Sequence, residues 1–205
     1  TTAMPSMVKL SDGTQPRKVA WVQCVGRGEK ADVPYCSKIC CMIATKQSMI
    51  TKEHDETIDT CILYNHIKMH GKGSFEYYKR AKDLGVNYIK GRPSEVVVED
   101  PTSKSLTMRY ENLEKGCIEE LEVDLLVLST GLVPSKGNAR LAKILKVELN
   151  EYGFVKEKDS IKAPFETGVE GIYACGGALG PVHISSTVVQ AIAASSKVVF
   201  TGVKK

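Results

Sequence analysis

The stretch Cys24–Lys46 constrains the fold of this chain more than any other part of its sequence. An apolar run, Val19–Val22, precedes it and predicts a buried strand, and Met42–Ile50, which follows the cysteines, predicts a helix. Many proteins bind phosphate groups with a strand, a glycine-containing turn and a helix in this order. Here the turn carries thiols instead, because four cysteines fall within eighteen positions: Cys24, Cys36, Cys40 and Cys41.

Strands and helices alternate in the part of the chain that follows. Beyond the cysteines we predict three elements: a strand at Cys61–Tyr64, a helix at Phe75–Leu84 and a strand at Val86–Ile89. Ser74 is a predicted helix cap, Gly85 stands where a helix ends, and Glu76 and Arg80 are spaced to form an ion pair. This β-α-β-α-β order is typical of a parallel sheet with crossover helices.

The middle of the chain changes to short segments of strand character. We predict strands at Glu95–Glu99, Ser105–Tyr110, Ile118–Val123 and Asp124–Leu128, with a turn at 100–104. The first three form an antiparallel meander before the last core strand. The sequence therefore predicts an α/β fold, Rossmann-like, of the three-layer ββα FAD/NAD(P)-binding type with an antiparallel β-meander insertion.

The remaining chain predicts a second, smaller region. We expect a linker or boundary segment at 1–17, one domain at 18–134 and a second at 135–205. The second domain should contain a helix at Asn138–Leu145 and strands at Gly153–Val155 and Gly171–Gly177. Thr187 and Gln190 match a capping box that opens a final helix.

Composition excludes several classes of function. The 205 residues carry a net charge of +4 without a long run of like charge, so nucleic acid is not an expected partner. No apolar stretch is long enough to span a membrane and no secretory signal opens the chain, so we expect a cytoplasmic protein. In a reducing compartment, clustered cysteines favour metal or redox chemistry over structural disulfides.

The cysteine pattern alone leaves three interpretations open. Thiolates bind soft metals, and four of them complete a [4Fe–4S] cluster. Cys36 and Cys40 would share one face of a helical turn, whereas Cys41 can contribute only if the helix begins at or after it. The alternatives are buried thiols that act as small apolar residues and a redox disulfide; a zinc site fits two adjacent cysteines less well.

A lysine also stands out in the helix after the cysteines. If that helix starts near Tyr35, Ile39, Ile43 and Ile50 form an apolar stripe, and Lys46 falls on it. The plain interpretation is a lysine whose stem packs on the stripe while its ammonium reaches water.

Five segments together are similar to one known family. They read V-A-W-V-Q-C-V-G-R, Y-C-S-K-I-C-C-M, H-G-K-G-S-F-E-Y-Y-K-R-A, L-V-L-S-T-G-L-V-P and G-I-Y-A-C-G-G-A-L-G-P-V-H-I. In this order they resemble the A subunit of heterodisulfide reductase, over nearly the whole of 18–199. That family consists of thioredoxin-reductase-like flavoproteins that carry FAD and iron–sulfur clusters and act in electron bifurcation in methanogens and sulfate reducers.

The resemblance implies roles for individual residues. It implies that Cys24, Cys36, Cys40 and Cys41 hold a [4Fe–4S] cluster and that Lys46 is a catalytic, flavin-contacting residue near N5 of the ring. It also implies FAD contacts at Thr130, Gly131, Gly176, Gly177, Pro181, His183, Ile184 and Thr187. Gly177 stands where related flavoproteins usually carry an acid, and Val182-His183 replaces a Lys-Asp pair, so the flavin environment differs from theirs.

Some expected motifs are absent from this sequence. No G-x-G-x-x-G opens an N-terminal strand, and no ferredoxin-type cysteine runs occur. We therefore expect this chain to correspond to a nicotinamide-type domain plus the C-terminal part of a FAD-binding domain, to hold FAD poorly alone and not to bind NAD(P)H.

The resemblance implies an oxidoreductase that passes electrons between FAD and the cluster within a larger complex. Its expected partners are other heterodisulfide-reductase-type subunits and an electron-donating hydrogenase or dehydrogenase. Whether the complete subunit forms a homodimer is left open. Two alternatives remain: an A-like subunit of a quinone-interacting complex, and a scaffold domain without a cofactor.

Overall fold

The computed structural model describes residues 13–28, 33–98 and 105–202. The elements are, in chain order, β1 (Lys18–Val25), α1 (Cys40–His54), β2 (Asp59–Tyr64), α2 (Ser74–Asp83), β3 (Asn87–Val97), β4 (Leu106–Asn112), β5 (Cys117–Val123), β6 (Leu125–Thr130), α3 (Asn138–Leu145) and α4 (Ile184–Gly202). The chain forms two compact units. The first takes the chain up to Cys36 together with Cys40–Gly131, and the second takes Ser37–Ile39 and the chain from Leu132 onward.

A six-stranded mixed sheet in the order β5-β4-β3-β2-β1-β6 forms the first unit. Strand β1 lies between β2 and β6 and is parallel to both. A strand flanked on both sides and covered on both faces must be apolar throughout, which accounts for the unbroken run Val19–Val22. Asp124 holds the start of β1, because its carboxylate accepts the N–H groups of Arg17 and Lys18 at 2.7 and 2.9 Å.

Alternate residues of β1 enter different cores, since successive side chains of a strand point to opposite faces. Val19 and Trp21 pack against α1 and α2 in one buried cluster. Ala20 and Val22 pack against β4 and β5 in another. The first unit therefore has three layers, with helices on one face of the parallel strands and the meander on the other. The predicted fold class is confirmed.

The first strand of the meander is the continuation of a core strand. The predicted strands at Val86–Ile89 and Glu95–Glu99 are one continuous strand in the structure, β3, which pairs in parallel with β2 and then antiparallel with β4. A register shift between Pro93 and Glu95 bends it, as proline and bulges do in strands. Strand β5 completes the meander beside β4.

The prediction for the helix after the cysteines was partly wrong. Helix α1 begins at Cys40 rather than near Tyr35, and it buries small and polar residues instead of the isoleucine stripe: Cys41, Ala44, Thr45, Ser48, Met49 and Thr51. Ile43 is 45% exposed. Small side chains let the helix approach the sheet closely. The sequence prediction looked for a stripe of large apolar residues and therefore missed this buried face.

Two local predictions for α2 were also wrong. Gly73, with φ 84°, caps the helix, and the hydroxyl of Ser74 donates to the carbonyl of His70 instead. Arg80 pairs with Glu53 on α1 at 2.9 Å rather than with Glu76. Gly85 does end the helix as predicted, with φ 86°.

In the second unit the helices agree better with the sequence than the strands do. Helix α3 spans the predicted residues. The predicted strands at Gly153–Val155 and Gly171–Gly177 are turns with isolated bridges at Val155 and Tyr173, followed by a short 3-10 helix at Gly176–Ala178. Helix α4 begins at Ile184, so Thr187 lies inside its first turn and is not its cap.

The predicted domain limits can be compared with the observed units. The second unit starts at Leu132, whereas we predicted a boundary after Pro134, and it also includes Ser37–Ile39. Most of the predicted linker at 1–17, the last residue of the strand predicted at Glu95–Glu99 and the whole of the turn at 100–104 lie outside the described residues. The assignment of the two regions to a nicotinamide-type domain and part of a FAD domain stays a prediction.

Candidate functional site

The cysteine stretch begins where β1 ends. Cys24 has a φ of 61°, a left-handed backbone conformation that is uncommon outside glycine, and Gly26 follows with a φ of 71°. This turn brings the guanidinium of Arg27 back to Cys24, with 3.7 Å between Nη1 and Sγ. The first predicted metal ligand therefore has a cationic N–H donor beside its sulfur.

Cys41 lies in the first turn of α1 and faces the segment that follows β2. Its sulfur accepts the peptide N–H of Lys68 at 3.4 Å, and its S–H group donates to the carbonyl of His66 at 3.9 Å. Burial raises the pKa of the Cys41 thiol above its ordinary value, and the other three cysteines of the cluster raise it further. The N–H of Lys68 has the opposite effect, because it stabilises the thiolate.

Cys40 lies beside the end of β6. Its S–H group donates to the carbonyl of Thr130 at 3.7 Å, so the structure brings together two residues that were assigned to different cofactors. Cys36 is half-buried just before the helix. All four predicted ligands belong to the first unit.

The four thiols are not assembled into a finished metal centre. Within the described ranges, no group of three or more His, Cys, Asp or Glu side chains is placed to hold one metal ion. The chemistry of the donor set nevertheless fits an iron–sulfur cluster, because soft thiolates are its usual ligands and N–H donors to sulfur are the usual means of tuning it. Two such donors, from Arg27 and Lys68, already contact Cys24 and Cys41.

The other cysteines are placed differently. Cys61 is buried, and burial raises the pKa of its thiol to about 11. Cys175 is half-buried and Cys117 is exposed. Cys61 lies in the apolar strand β2, away from the clustered cysteines, and packs as a small core residue.

Lys46 lies on the exposed side of α1. Its neighbours one turn away, Ile43 and Ile50, are exposed and half-buried, so the predicted packing of its stem on a buried stripe does not occur within the first unit. Thr130 and Gly131 belong to the same unit; Thr130 is the last residue of β6 and Gly131 follows it. The proposed flavin contacts of these three residues stay predictions.

The remaining predicted FAD contacts lie in the second unit. Gly176 has a φ of 64°, and a Cβ atom on it would meet the methyl group of Thr187 at 2.8 Å. The N–H of Gly176 donates to Oε1 of Gln190 at 2.7 Å, and the hydroxyl of Thr187 donates to the carbonyl of His183 at 3.1 Å. The structure thus joins the glycine turn to the start of α4, and only glycine fits this turn.

The other FAD contacts predicted in the second unit also lie near the start of α4. Gly177 is exposed, Pro181 is half-buried, and Ile184 is the exposed first residue of α4. Helix N-termini attract negative charge, so this end of α4 is suited to the anionic part of a cofactor. Whether these residues contact FAD stays a prediction.

Sequence reasoning missed the cationic residues around the cysteines. Arg27 follows β1 and Lys68 follows β2, and the carboxyl ends of neighbouring parallel strands meet at one edge of the sheet. Both strands are followed by basic residues that none of the sequence motifs explained. This was the signal from which their place near the cysteines could have been predicted.

The sequence profile of one family covers more than half of the chain and begins after the clustered cysteines. The pyridine nucleotide-disulphide oxidoreductase family matches residues 69–197. The chain belongs to this family. The match includes both the meander of the first unit and the helix start of the second.

Similar proteins confirm the resemblance noted in the sequence. The chain is 46% identical over 193 residues to the iron-sulfur A subunit of the CoB--CoM heterodisulfide reductase of Methanocaldococcus jannaschii, covering 93% of this chain and 29% of that protein. It is 45% identical, with the same coverage, to the A subunit of the H(2)/formate:CoB-CoM heterodisulfide,ferredoxin reductase of Methanococcus maripaludis. The chain thus spans less than a third of the length of these curated relatives.

Solved structures support the fold assignment. The thioredoxin reductase of T. acidophilum matches with a TM-score of 0.56 at 18% identity, over 91% of this chain and 53% of that one. The thioredoxin reductase of Lactococcus lactis matches with a TM-score of 0.57 at 16% identity, over 93% and 54%. At such identities the likeness establishes a FAD/NAD(P)-binding, Rossmann-like fold. Among the helices that the structure describes, none is both long and apolar enough to cross a membrane.

Proposed function

We propose that this chain is the electron-transferring part of a heterodisulfide reductase A-type subunit, in which Cys24, Cys36, Cys40 and Cys41 hold a [4Fe–4S] cluster. The observation that carries the proposal is the environment of Cys41. Its sulfur is buried against the segment after β2 and accepts a peptide N–H from Lys68. The N–H of Lys68 stabilises the thiolate form of Cys41, which is the form that binds a metal, and Cys24, Cys36 and Cys40 are close enough to interact electrostatically with it.

The position of the cysteines supports the same role. The first of them, Cys24, stands at the carboxyl end of β1, and open α/β sheets bind their ligands at this end of their parallel strands. The family binds nicotinamide nucleotides with a glycine-rich turn at this place, and here Gln23-Cys24 takes its position. We propose that cluster ligation has replaced nicotinamide binding at this edge.

FAD is the second cofactor of the proposal. The thioredoxin-reductase-like fold supports it, and the residues that would contact it are Lys46, Thr130 and Gly131 in the first unit and the helix start around Thr187 in the second. FAD supplies two-electron and one-electron chemistry, and a cluster supplies one-electron transfer. The contribution of this chain is to bind and orient both groups and to set their potentials through N–H donors, burial and charge.

Partners follow from the relatives' names. These proteins are named as subunits of heterodisulfide reductase complexes, and we propose that the complete subunit likewise passes electrons to other subunits. The same proposal includes an electron-donating hydrogenase or dehydrogenase and a homodimer of the complete subunit.

Iron analysis of the 205-residue chain tests the cluster. After anaerobic purification and reconstitution we expect about four irons and four acid-labile sulfides per chain, as for one [4Fe–4S] cluster. Replacing any one of Cys24, Cys36, Cys40 or Cys41 by serine should lower the iron content to less than half, because serine is a much poorer ligand for iron.

The matched control is Cys117→Ser, since this exposed thiol has no assigned role. It should leave the iron content unchanged. A chain that stays colourless after reconstitution, or equal iron loss in all five variants, would contradict the assignment and favour a scaffold without a cofactor.

A further inference from the structure

A small apolar cleft lies in the first unit, between the end of β2 and the start of α2. Its volume is about 280 Å³, and it is lined by Tyr64, Ile67, Met69, Ser74, Phe75 and Tyr78. This volume is below the range of about 300–1,000 Å³ that small-molecule sites occupy. A cleft of this size and composition fits one large apolar side chain of another protein segment.

Phe75 stands at the edge of this cleft and is largely exposed. It is the second residue of α2, and 73% of its surface is accessible to solvent. Aromatic side chains are enriched in the cores of protein interfaces, where they bury a large apolar area. In α2, all of which the structure describes, Phe75 is the only exposed large apolar residue. A helix that lies on a membrane inserts a whole apolar face, so α2 suits a protein partner better than a lipid surface.

The charges next to the cleft are positive. Lys82 lies one turn after Tyr78, with its Nζ atom 4.9 Å from the centroid of the Tyr78 ring, and Lys72 is exposed just before α2. No carboxylate is among the described lining residues, and neither lysine forms an ion pair within the described chain. Glu76 lies about 100° away from Phe75 around the helix axis. A partner with negative charges around an apolar side chain therefore complements this surface.

The wall of the cleft is continuous with the surroundings of Cys41. Ile67, which lines the cleft, is the residue between His66 and Lys68. The carbonyl of His66 and the N–H of Lys68 both contact the Cys41 sulfur. One segment therefore forms part of the cleft and part of the environment of a proposed cluster ligand.

A second connection runs through tyrosines. Tyr64 and Tyr78 of the cleft pack against Tyr88, with ring centroids 6.3 and 4.6 Å from that of Tyr88. The hydroxyl of Tyr88 shares a hydrogen bond of 2.9 Å with that of Thr45, which lies one helical turn after Cys41. A protein that occupies the cleft would contact groups that pack against the helix of this cysteine.

We propose that this cleft docks an acidic segment of a partner protein, which inserts one large apolar side chain beside Phe75. The docking requires only the cleft and the lysines beside it. Its use for electron transfer rests on the proposed function, because a partner held here is connected by packed groups to the cluster ligand Cys41. The site thereby gives the complete subunit a place at which an electron-transfer partner can approach the cluster.

Nuclear magnetic resonance of the nitrogen-15-labelled chain, iron-free and treated with chelator, tests the docking. The probe is a short peptide with a central phenylalanine that is flanked on both sides by aspartates. We expect saturable one-to-one shifts of the backbone amides of Tyr64, Phe75 and Tyr78. The same peptide with a central alanine, or with lysines in place of the aspartates, should bind at least about tenfold more weakly, because it lacks the apolar anchor or the complementary charge.

Two variants test the residues of the site. Phe75→Ala and Lys82→Glu should each weaken binding of the acidic peptide by about fivefold, as loss of an interface contact or reversal of a nearby charge does. Both side chains are exposed, so the variants should keep the circular dichroism of the parent. The matched control is Lys162→Glu, which makes the same charge change at an exposed lysine of the second unit and should leave the affinity unchanged.

Three results would overturn the docking site: absence of saturable shifts, equal affinity for the alanine peptide, or equal weakening in the Lys162 variant. Binding to phosphatidylserine vesicles that requires Phe75, without binding of the peptide, would overturn the choice of a protein partner and assign a membrane surface. Because the titration uses iron-free protein, its failure is distinct from a failure of cluster assembly, which iron analysis measures.

Discussion

Gly91 shows how a single residue sets the approach of two strands. A Cβ atom at this position would meet the backbone oxygen of Glu111 at 2.7 Å and the ring of Tyr110 at 2.9 Å. Backbone atoms cannot move aside cheaply, so any side chain must push β3 and β4 apart. The glycine is therefore required by packing at the place where the core strand becomes the meander.

Gly91→Ala should lower the free energy of unfolding by about 1–3 kcal/mol, the usual cost of overpacking. Urea denaturation measures the change. Gly168→Ala is the control, since nothing lies within 4 Å of the Cβ it would add. Equal stability of the Gly91 variant and the parent chain would show that the two strands can separate without cost.

Lys46 is a second single residue with a testable role, and that predicted role depends on the positive charge of its side chain. An ammonium near the flavin ring stabilises the anionic reduced form, so its removal should lower the flavin potential. In the complete subunit we expect Lys46→Ala to lower the midpoint potential by roughly 15–30 mV, equivalent to about 0.7–1.4 kcal/mol for a two-electron couple.

The matched control is Lys79→Ala, which removes an exposed lysine from the neighbouring helix α2. A redox titration that gives the same potential for the Lys46 variant and the parent would refute the assigned contact.

Single residues also show what the sequence could and could not predict. The spacing of the cysteines indicated thiol chemistry, whereas the helix was predicted to begin near Tyr35 and begins at Cys40. The sulfur contacts to His66 and Lys68 connect positions 25 and 27 residues apart. Such contacts depend on the packing of α1 against the end of β2, which no local pattern describes.

At the scale of elements, the β4–β5 hairpin carries the clearest electrostatic network. Lys115 and Asn112 donate to the carboxylate of Glu119 at 2.6 and 2.7 Å, and Tyr110 donates to it at 2.7 Å. These bonds, with that of Lys115 first, lower the pKa of Glu119 from 4.5 to about 2. The network ties the two strands together across their turn.

The lowered pKa predicts how the hairpin responds to acid. Because the folded pKa lies below the ordinary value, the stabilisation is complete above about pH 4.5 and is lost as the pH falls towards 2. The parent chain should exceed Glu119→Gln in stability at pH 7, and the difference should shrink over this range. Urea titrations at several pH values measure it, with Glu122→Gln as control; a difference independent of pH would contradict the network's role.

Elements also differ in how well sequence patterns predicted them. Strand β1 was predicted because an unbroken apolar run reflects burial directly. Helix α3 has its predicted bounds although none of its residues is buried. The strands predicted at Gly153–Val155 and Gly171–Gly177 failed because glycines there allow turns that satisfy the backbone locally. The hydroxyl of Thr167, for example, bonds to the carbonyl of Ile172 at 2.9 Å and helps close such a turn.

At the scale of the whole molecule, the order of elements predicted the three-layer fold, and the resemblance of five sequence segments indicated the family. The long-range order of motifs carries this information, and relatives at 46% and 45% identity share it. The positions of Arg27 and Lys68 beside the cysteines were not predicted, because they depend on segments that meet only in the folded chain. The central claim about the molecule is that its thiols replace a phosphate-binding turn and hold a cluster.

Native mass spectrometry of the anaerobically reconstituted chain tests this claim most directly. The account predicts one mass increment of a four-iron, four-sulfide unit on the parent chain, retained in Cys117→Ser and lost in Cys41→Ser. A chain that carries zinc or no added mass, or a Cys41→Ser variant that keeps the full increment, would contradict it.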